Sequence, residues 1–199
     1  LRANKMRSAL TMIGIVIGIV TVTLMGTAID GLNRAFLQSI SVIGADVLYV
    51  DRFAWVNRTG LDWLQQRNRR PITLTQVRAV EKQLTLARAV APVADTRDSV
   101  RYKNRSSTSV MIVGTSDQFQ FTSGVVLGSG RFLSASESEG GRPVTVLGFQ
   151  VATNLFPNDT ALGKRIRIGE QPFEGVGVLE KQGNFLGSFS LDNQVIIPV

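Results

Sequence analysis

The chain has 199 residues, a formal net charge of +7, and neither cysteine nor histidine. Disulfides, iron–sulfur centres and thiolate zinc sites are therefore excluded, as are every Ser-His-Asp arrangement and the commonest metal ligand. The positive charge is concentrated: residues 52–105 hold twelve Lys/Arg and four Asp/Glu, whereas residues 106–199 hold six and eight.

The first element is apolar. Twenty-two residues, Ser8 to Ile29, carry no charge, and Arg2, Lys5 and Arg7 stand directly before them. About 20 apolar residues suffice to cross a bilayer core as a helix. Its hydroxyls (Ser8, Thr11, Thr21, Thr23, Thr27) can bond to carbonyls of the preceding turn. The basic flank would stay in the cytoplasm and the chain after Ile29 would lie outside it. The rival reading is a cleaved signal peptide, with Gly26-Thr27-Ala28 as the processing site, but signal cores are shorter, about 7–15 residues. The opening Leu1 also fits a fragment of something longer. Gly14 and Gly18 form a GxxxG pair, with Gly26 on nearly the same face, a spacing that lets a second membrane helix approach closely.

The helical pattern continues past the apolar run. Leu32, Phe36, Ile40 and Ile43 line one face, so the spacing predicts one helix from about Lys5 to Ile43, stopped at Gly44. Such a helix is roughly 58 Å long, half in lipid and half an amphipathic stalk, with Gly31 as a weak joint.

Ala45–Phe53 has the composition of a strand. Arg52–Pro71, with Trp55 and Trp63 among arginines, reads as loop. Thr73 followed by Gln76 predicts a capping box, and Val77, Val80 and Leu84 predict a helix ending near Leu86. Beyond this the chain is β-dominated, with thirteen of the nineteen glycines between Gly114 and Gly187. Asp98–Tyr102 and Ser107–Gly114 predict a hairpin around Lys103-Asn104-Arg105. Val144–Leu147 reads as a buried strand, Phe149–Phe156 as a helix, Ile166–Ile168 with Phe173–Leu179 as a second hairpin, and Gln194–Ile197 as a last strand ended by Pro198. Helices and strands alternate without a regular βαβ rhythm, so the expected class is α+β. The charge shift near residue 105 hints at two subdomains. A return of the last strand to the first would make the middle an insertion.

Few groups offer chemistry. Gly163-Lys164 resembles the tail of a phosphate loop, but Asn158 stands where glycine is required and Arg165 replaces the Ser/Thr. Gly128/Gly130 and Gly175/Gly177 read as turns or close strand contacts. Glu137 and Glu139 sit in the polar run SASESEGG and read as a solvated turn or helix start before an acid–base pair. The strongest partner-facing candidate is the loop GNFLGSF, with Phe185, Leu186 and Phe189. The basic stretch is either a solvated surface or a face toward an anionic partner, headgroup or substrate. Nucleic acid is not expected outside the membrane.

The order of these segments resembles a known family. LRANKMRSALTMIGIVIG, a long helix and SVIGADVLYV, followed by VTVLG, VATNLF, LGKRIRIG, PFEGVGVLE and DNQVIIP, are similar to the MacB-like permeases, which stand with the lipoprotein-releasing and FtsX-like permeases of ABC transporters. The resemblance covers nearly the whole chain and is weakest over residues 52–70. It implies a first membrane helix (1–44) and an extracytoplasmic core (45–199). That core would have a porter-like α/β part and a β-rich insertion at about 98–181. It implies a bacterial inner-membrane permease half that is not an enzyme and needs no cofactor. Its partners would be a cytoplasmic ABC ATPase subunit or domain, a homo- or heterodimeric permease partner, and in some members a periplasmic adaptor. The residues alone leave two alternatives: a singly anchored extracytoplasmic binding or adaptor module, and a membrane-anchored enzyme.

Overall fold

The computed structural model describes residues 5–43, 47–52, 69–185 and 189–199, with side chains throughout except at 5, 35–43, 184–185 and 189. The chain divides into two compact units, Leu1–Ser41 and Val42–Val199. The first is helix α1 (Lys5–Ile43), uninterrupted for 39 residues and through Gly31. Its extent agrees with the sequence expectation. The proposed stop at Gly44 lies outside the described residues.

The second unit holds α2 (Leu74–Gln83), β1 (Val93–Tyr102), β2 (Arg105–Thr115), α3 (Phe119–Thr122), β3 (Leu127–Gly130), α4 (Ala135–Glu139), β4 (Val144–Leu147), α5 (Phe149–Leu155), β5 (Arg165–Ile168), β6 (Gln171–Leu179), β7 (Asn184–Phe185), β8 (Phe189–Ser190) and β9 (Gln194–Pro198). Seven strands form one mixed sheet in the order β3-β6-β4-β9-β2-β1-β5. β5 also pairs with β6, along Gln171–Glu174, so β1, β2, β9, β4, β6 and β5 close into a ring. β6 is long enough to hold β3 as well, from Gly177 to Leu179.

The middle strands are buried on both faces. Val110, Ile112, Leu147 and Val195 meet Val151, Leu155 and Phe156 from α5 and its end, and Ile166 and Phe173 from the β5–β6 hairpin. The next residues along, Val113, Val146 and Ile196, face the opposite way onto Phe132, Leu133 and Leu179. This double burial explains why Val144–Leu147 and Gln194–Ile196 are buried without a break, whereas β5 alternates strictly between exposed and buried.

Most local expectations agree with these elements, and some do not. Residues 47–52 form no strand, and Leu48 and Val50 are 88% and 77% exposed. β-propensity supplies no ladder partner by itself, and residues 45, 46 and 53 lie outside the described ones. The last strand therefore has no first strand at 47–52 to return to; β9 lies between β2, in parallel, and β4, antiparallel. The helix from Thr73 stops at Gln83 with Leu84 already extended, short of Leu86. The Thr73 N–H does donate to Gln76 Oε1, at 2.9 Å. None of its residues is buried, so Val80 and Leu84 cover no core.

Candidate membrane helix and partner-facing loop

α1 owes its character to composition. Met6–Arg34 is long and apolar enough to cross a membrane, with a mean hydropathy of 2.3 over its most apolar stretch. It is apolar around its circumference, and Ile13, Ile17, Leu24 and Met25 are all more than half exposed. Such a surface calls for lipid or other helices, not water. The four threonines satisfy their hydroxyls on the helix itself: Thr11 on Arg7 and Ser8, Thr21 on Ile17, Thr23 on Ile19, and Thr27 on Leu24. Gly14, Gly18 and Gly26 have nothing within 4 Å of where a Cβ would stand. On the stalk, Leu32 is 72% exposed, while the side chains of Phe36, Ile40 and Ile43 lie outside the described ones.

The GNFLGSF loop is a short hairpin in which Asn184 pairs with Ser190 and Phe185 with Phe189. Leu186 and the side chains of Phe185 and Phe189 lie outside the described ones. Sequence reasoning missed what anchors the hairpin. Asp192 is buried, and its two carboxylate oxygens accept the Gln182 and Gly183 backbone N–H at 2.7 and 3.0 Å. Leu191 N–H closes the base on the Gly183 carbonyl, and Ser190 Oγ meets Gln150 Oε1 at 3.1 Å. The signal was the Asp just before the last apolar run, a residue suited to gathering loop N–H groups.

The paired-carboxylate candidates separate. Glu137 is buried and Glu139 exposed. Glu137 binds both terminal nitrogens of Arg131 at 2.7 Å and also takes the Ser134 N–H and hydroxyl, as the third residue of a capping box on α4. The Arg131 hydrogen bond, aided by Ser134 against the opposing effect of burial, holds the Glu137 carboxyl at about 2. At neutral pH this carboxyl is thus an ionised clamp that ties Arg131 to the start of α4. It starts a helix, as the sequence suggested, but it is not solvated. Gly163-Lys164 forms a turn: Gly163 has φ +71° and Lys164 pairs with Asp159 at 2.9 Å. Gly175 and Gly177 are close strand contacts, where a Cβ would fall on the carbonyl oxygens of Ala161 and Arg131.

A family profile described as the MacB-like periplasmic core domain matches residues 8–199. The chain belongs to that family. It is 29% identical over 190 residues to the macrolide export ATP-binding/permease protein MacB of Mannheimia succiniciproducens, covering 96% of this chain and 29% of that protein. It is 30% identical over 198 residues to the pyoverdine export ATP-binding/permease protein PvdT of Pseudomonas savastanoi pv. phaseolicola, covering 98% of this chain and 28% of that one. The chain thus spans less than a third of the length of these relatives. Its fold is like that of the periplasmic region of MacB from Actinobacillus actinomycetemcomitans, at a TM-score of 0.59 and 21% identity over 70% of this chain and 61% of that one. It is also like the extracellular domain of the ABC-type transporter YknZ, at 0.54 and 20% over 64% and 62%. As a MacB-like core preceded by an apolar helix, the chain has the α+β class read from its sequence.

Proposed function

We propose that this chain is the first membrane helix (1–44) and extracytoplasmic core (45–199) of an ABC exporter permease half in the bacterial inner membrane. In this reading the β-rich insertion spans about 98–181. The family match over 8–199, joined to an apolar helix of membrane-crossing length, carries the reading. ATP is hydrolysed on a cytoplasmic subunit or domain, and the permease works with a second permease half, with a periplasmic adaptor as a further partner. Gly14, Gly18 and Gly26 are the positions where another membrane helix approaches. Phe36, Ile40 and Ile43 continue the stalk face begun at Leu32. Phe185, Leu186 and Phe189 contact a partner, with the Asp192 clamp setting where their hairpin starts.

The role of α1 is mechanical in this reading. The helix runs unbroken through Gly31, so a tilt or shift driven from the cytoplasmic side is carried along it to its outer end. Inserting a flexible Gly/Ser segment after Ile29 in the assembled transporter tests this. The expected result is continued ATP hydrolysis with transport abolished. Full retention of transport would refute mechanical coupling through α1.

A further inference from the structure

Where β2, β1 and β5 lie side by side, the outer surface gathers cations. Arg101 on β1 stands directly opposite Arg167 on β5, and both are exposed. Like charges in that relation destabilise a sheet. Lys103 follows at the β1–β2 turn and Arg165 lies two residues from Arg167, whereas Arg105 pairs with Tyr102 on the other face of the sheet and turns toward the Leu155 carbonyl. Among the described residues, the Arg131–Glu137 and Lys164–Asp159 ion pairs use none of these five cations.

The neighbouring acids do not neutralise the group. Asp159 is held by Lys164. Asp98 takes the Ser99 N–H and lies beside Gly169. Glu174 stands opposite Arg165 in the register, and the Asp159 carboxylate feels Lys103 as well as Lys164, so the Arg101–Arg167 pair is the part of the group these acids do not offset. Among the cations' neutral contacts, Arg105 Nη1 reaches the Leu155 carbonyl at 3.4 Å, and Lys103 Nζ lies 5.2 Å from the Tyr102 ring centre.

The surface here is a shallow, open depression. An open groove of about 320 Å³ is lined by Arg101, Lys103 and Arg105 together with the hydroxyl-bearing Ser99, Ser106 and Thr108. The strands are distorted around it. Between Asp98 and Val100 the register slips, so β2 has one residue more than β1. Ser109, in that bulge, has φ +56°, and Lys103 in the turn has φ +51°. Lys103 takes its positive φ in the two-residue turn and Ser109 in the bulge, the places where strand geometry asks for that conformation.

We propose that this groove binds phosphate groups. Guanidinium forks match phosphate oxygens two at a time, and the Ser and Thr hydroxyls supply further donors. Arg167 does not line the groove but stands opposite Arg101, so a phosphate held by Arg101 would also offset their like-charge opposition. The proposal does not rest on the exporter reading, because it uses only this face of the core. A soluble phosphate compound and a lipid headgroup share the required chemistry.

The test uses the full chain in nanodiscs of zwitterionic phosphatidylcholine, titrated calorimetrically with inorganic pyrophosphate. Saturable binding is expected, weakened about tenfold or more in the double variant Arg101→Gln/Arg167→Gln. It should be unchanged in Arg78→Gln on exposed α2. The ligand-free double variant should melt no lower than the parent, since it removes a like-charge pair. Pyrophosphate should raise the melting temperature of the parent more than chloride at equal ionic strength, and this excess should vanish in the double variant. Discs containing phosphatidylglycerol separate the two sources. Weaker pyrophosphate binding there assigns the groove to lipid headgroups, and unchanged binding assigns it to soluble phosphates. No saturable binding, or equal affinity in parent and double variant, would overturn the proposal.

Discussion

Replacing Glu137 with Gln removes one charge and almost no volume, and isolates the ionic part of the clamp. Folding lowers the carboxyl from its ordinary 4.5 to about 2. At 1.36 kcal/mol per unit, the full shift corresponds to about 3.4 kcal/mol. Glu137 is almost enclosed, but the Arg131 side chain is 54% exposed, so water screens part of the attraction. A value of about 1.5–2.5 kcal/mol is therefore expected. The sign follows from the direction of the shift. The folded value lies below the unfolded one, so the stabilisation is complete above about pH 4.5 and disappears as pH falls toward 2. Urea unfolding of parent and Glu137→Gln should differ by about 2 kcal/mol at pH 7, and the gap should nearly close by pH 2. A gap that stays constant between these pH values would refute the ionic account and assign the loss to the helix cap alone.

Three further outcomes follow from packing. Leu147 is fully buried between α5 and the β5–β6 hairpin; Leu147→Ala should cost about 2–5 kcal/mol in chemical denaturation. Gly177→Ala places a methyl on the Arg131 carbonyl oxygen, a backbone atom that cannot swing aside. It should lower the melting temperature by at least several degrees, at about 2–4 °C per kcal/mol, and an unchanged melting temperature would contradict the observed approach of β6 to the 131–139 segment. Gly14→Ile with Gly18→Ile fills open space beside α1, so it should leave unfolding of the core unchanged. The same pair should reduce membrane helix association severalfold in a reporter assay.

Features held within a short stretch were legible in the chain. The uncharged run from Ser8 to Ile29, the helical spacing of Val151 and Leu155, and the paired runs Ile166–Ile168 and Phe173–Leu179 all led to the observed elements. The polar run SASESEGG left open a turn or a helix start, and gave no sign that Glu137 would be buried against Arg131. Val47–Val50 failed for the opposite reason, because strand-like composition requires a neighbour that the local sequence does not name. The partners of β9 and the Arg101–Arg167 opposition had no local signature either.

The sequence alone determined the apolar helix and its extent, the α+β class, the exclusion of cysteine and histidine chemistry, and a resemblance that named the family. Tertiary structure decided which strands are neighbours, which carboxylate is enclosed, and which cations face each other. The physical reason is range. Helical and strand periodicities repeat within a few residues, so they are written into the order of side chains. Sheet register, in contrast, is set by competition among distant segments for hydrogen-bond partners and for space in a shared core.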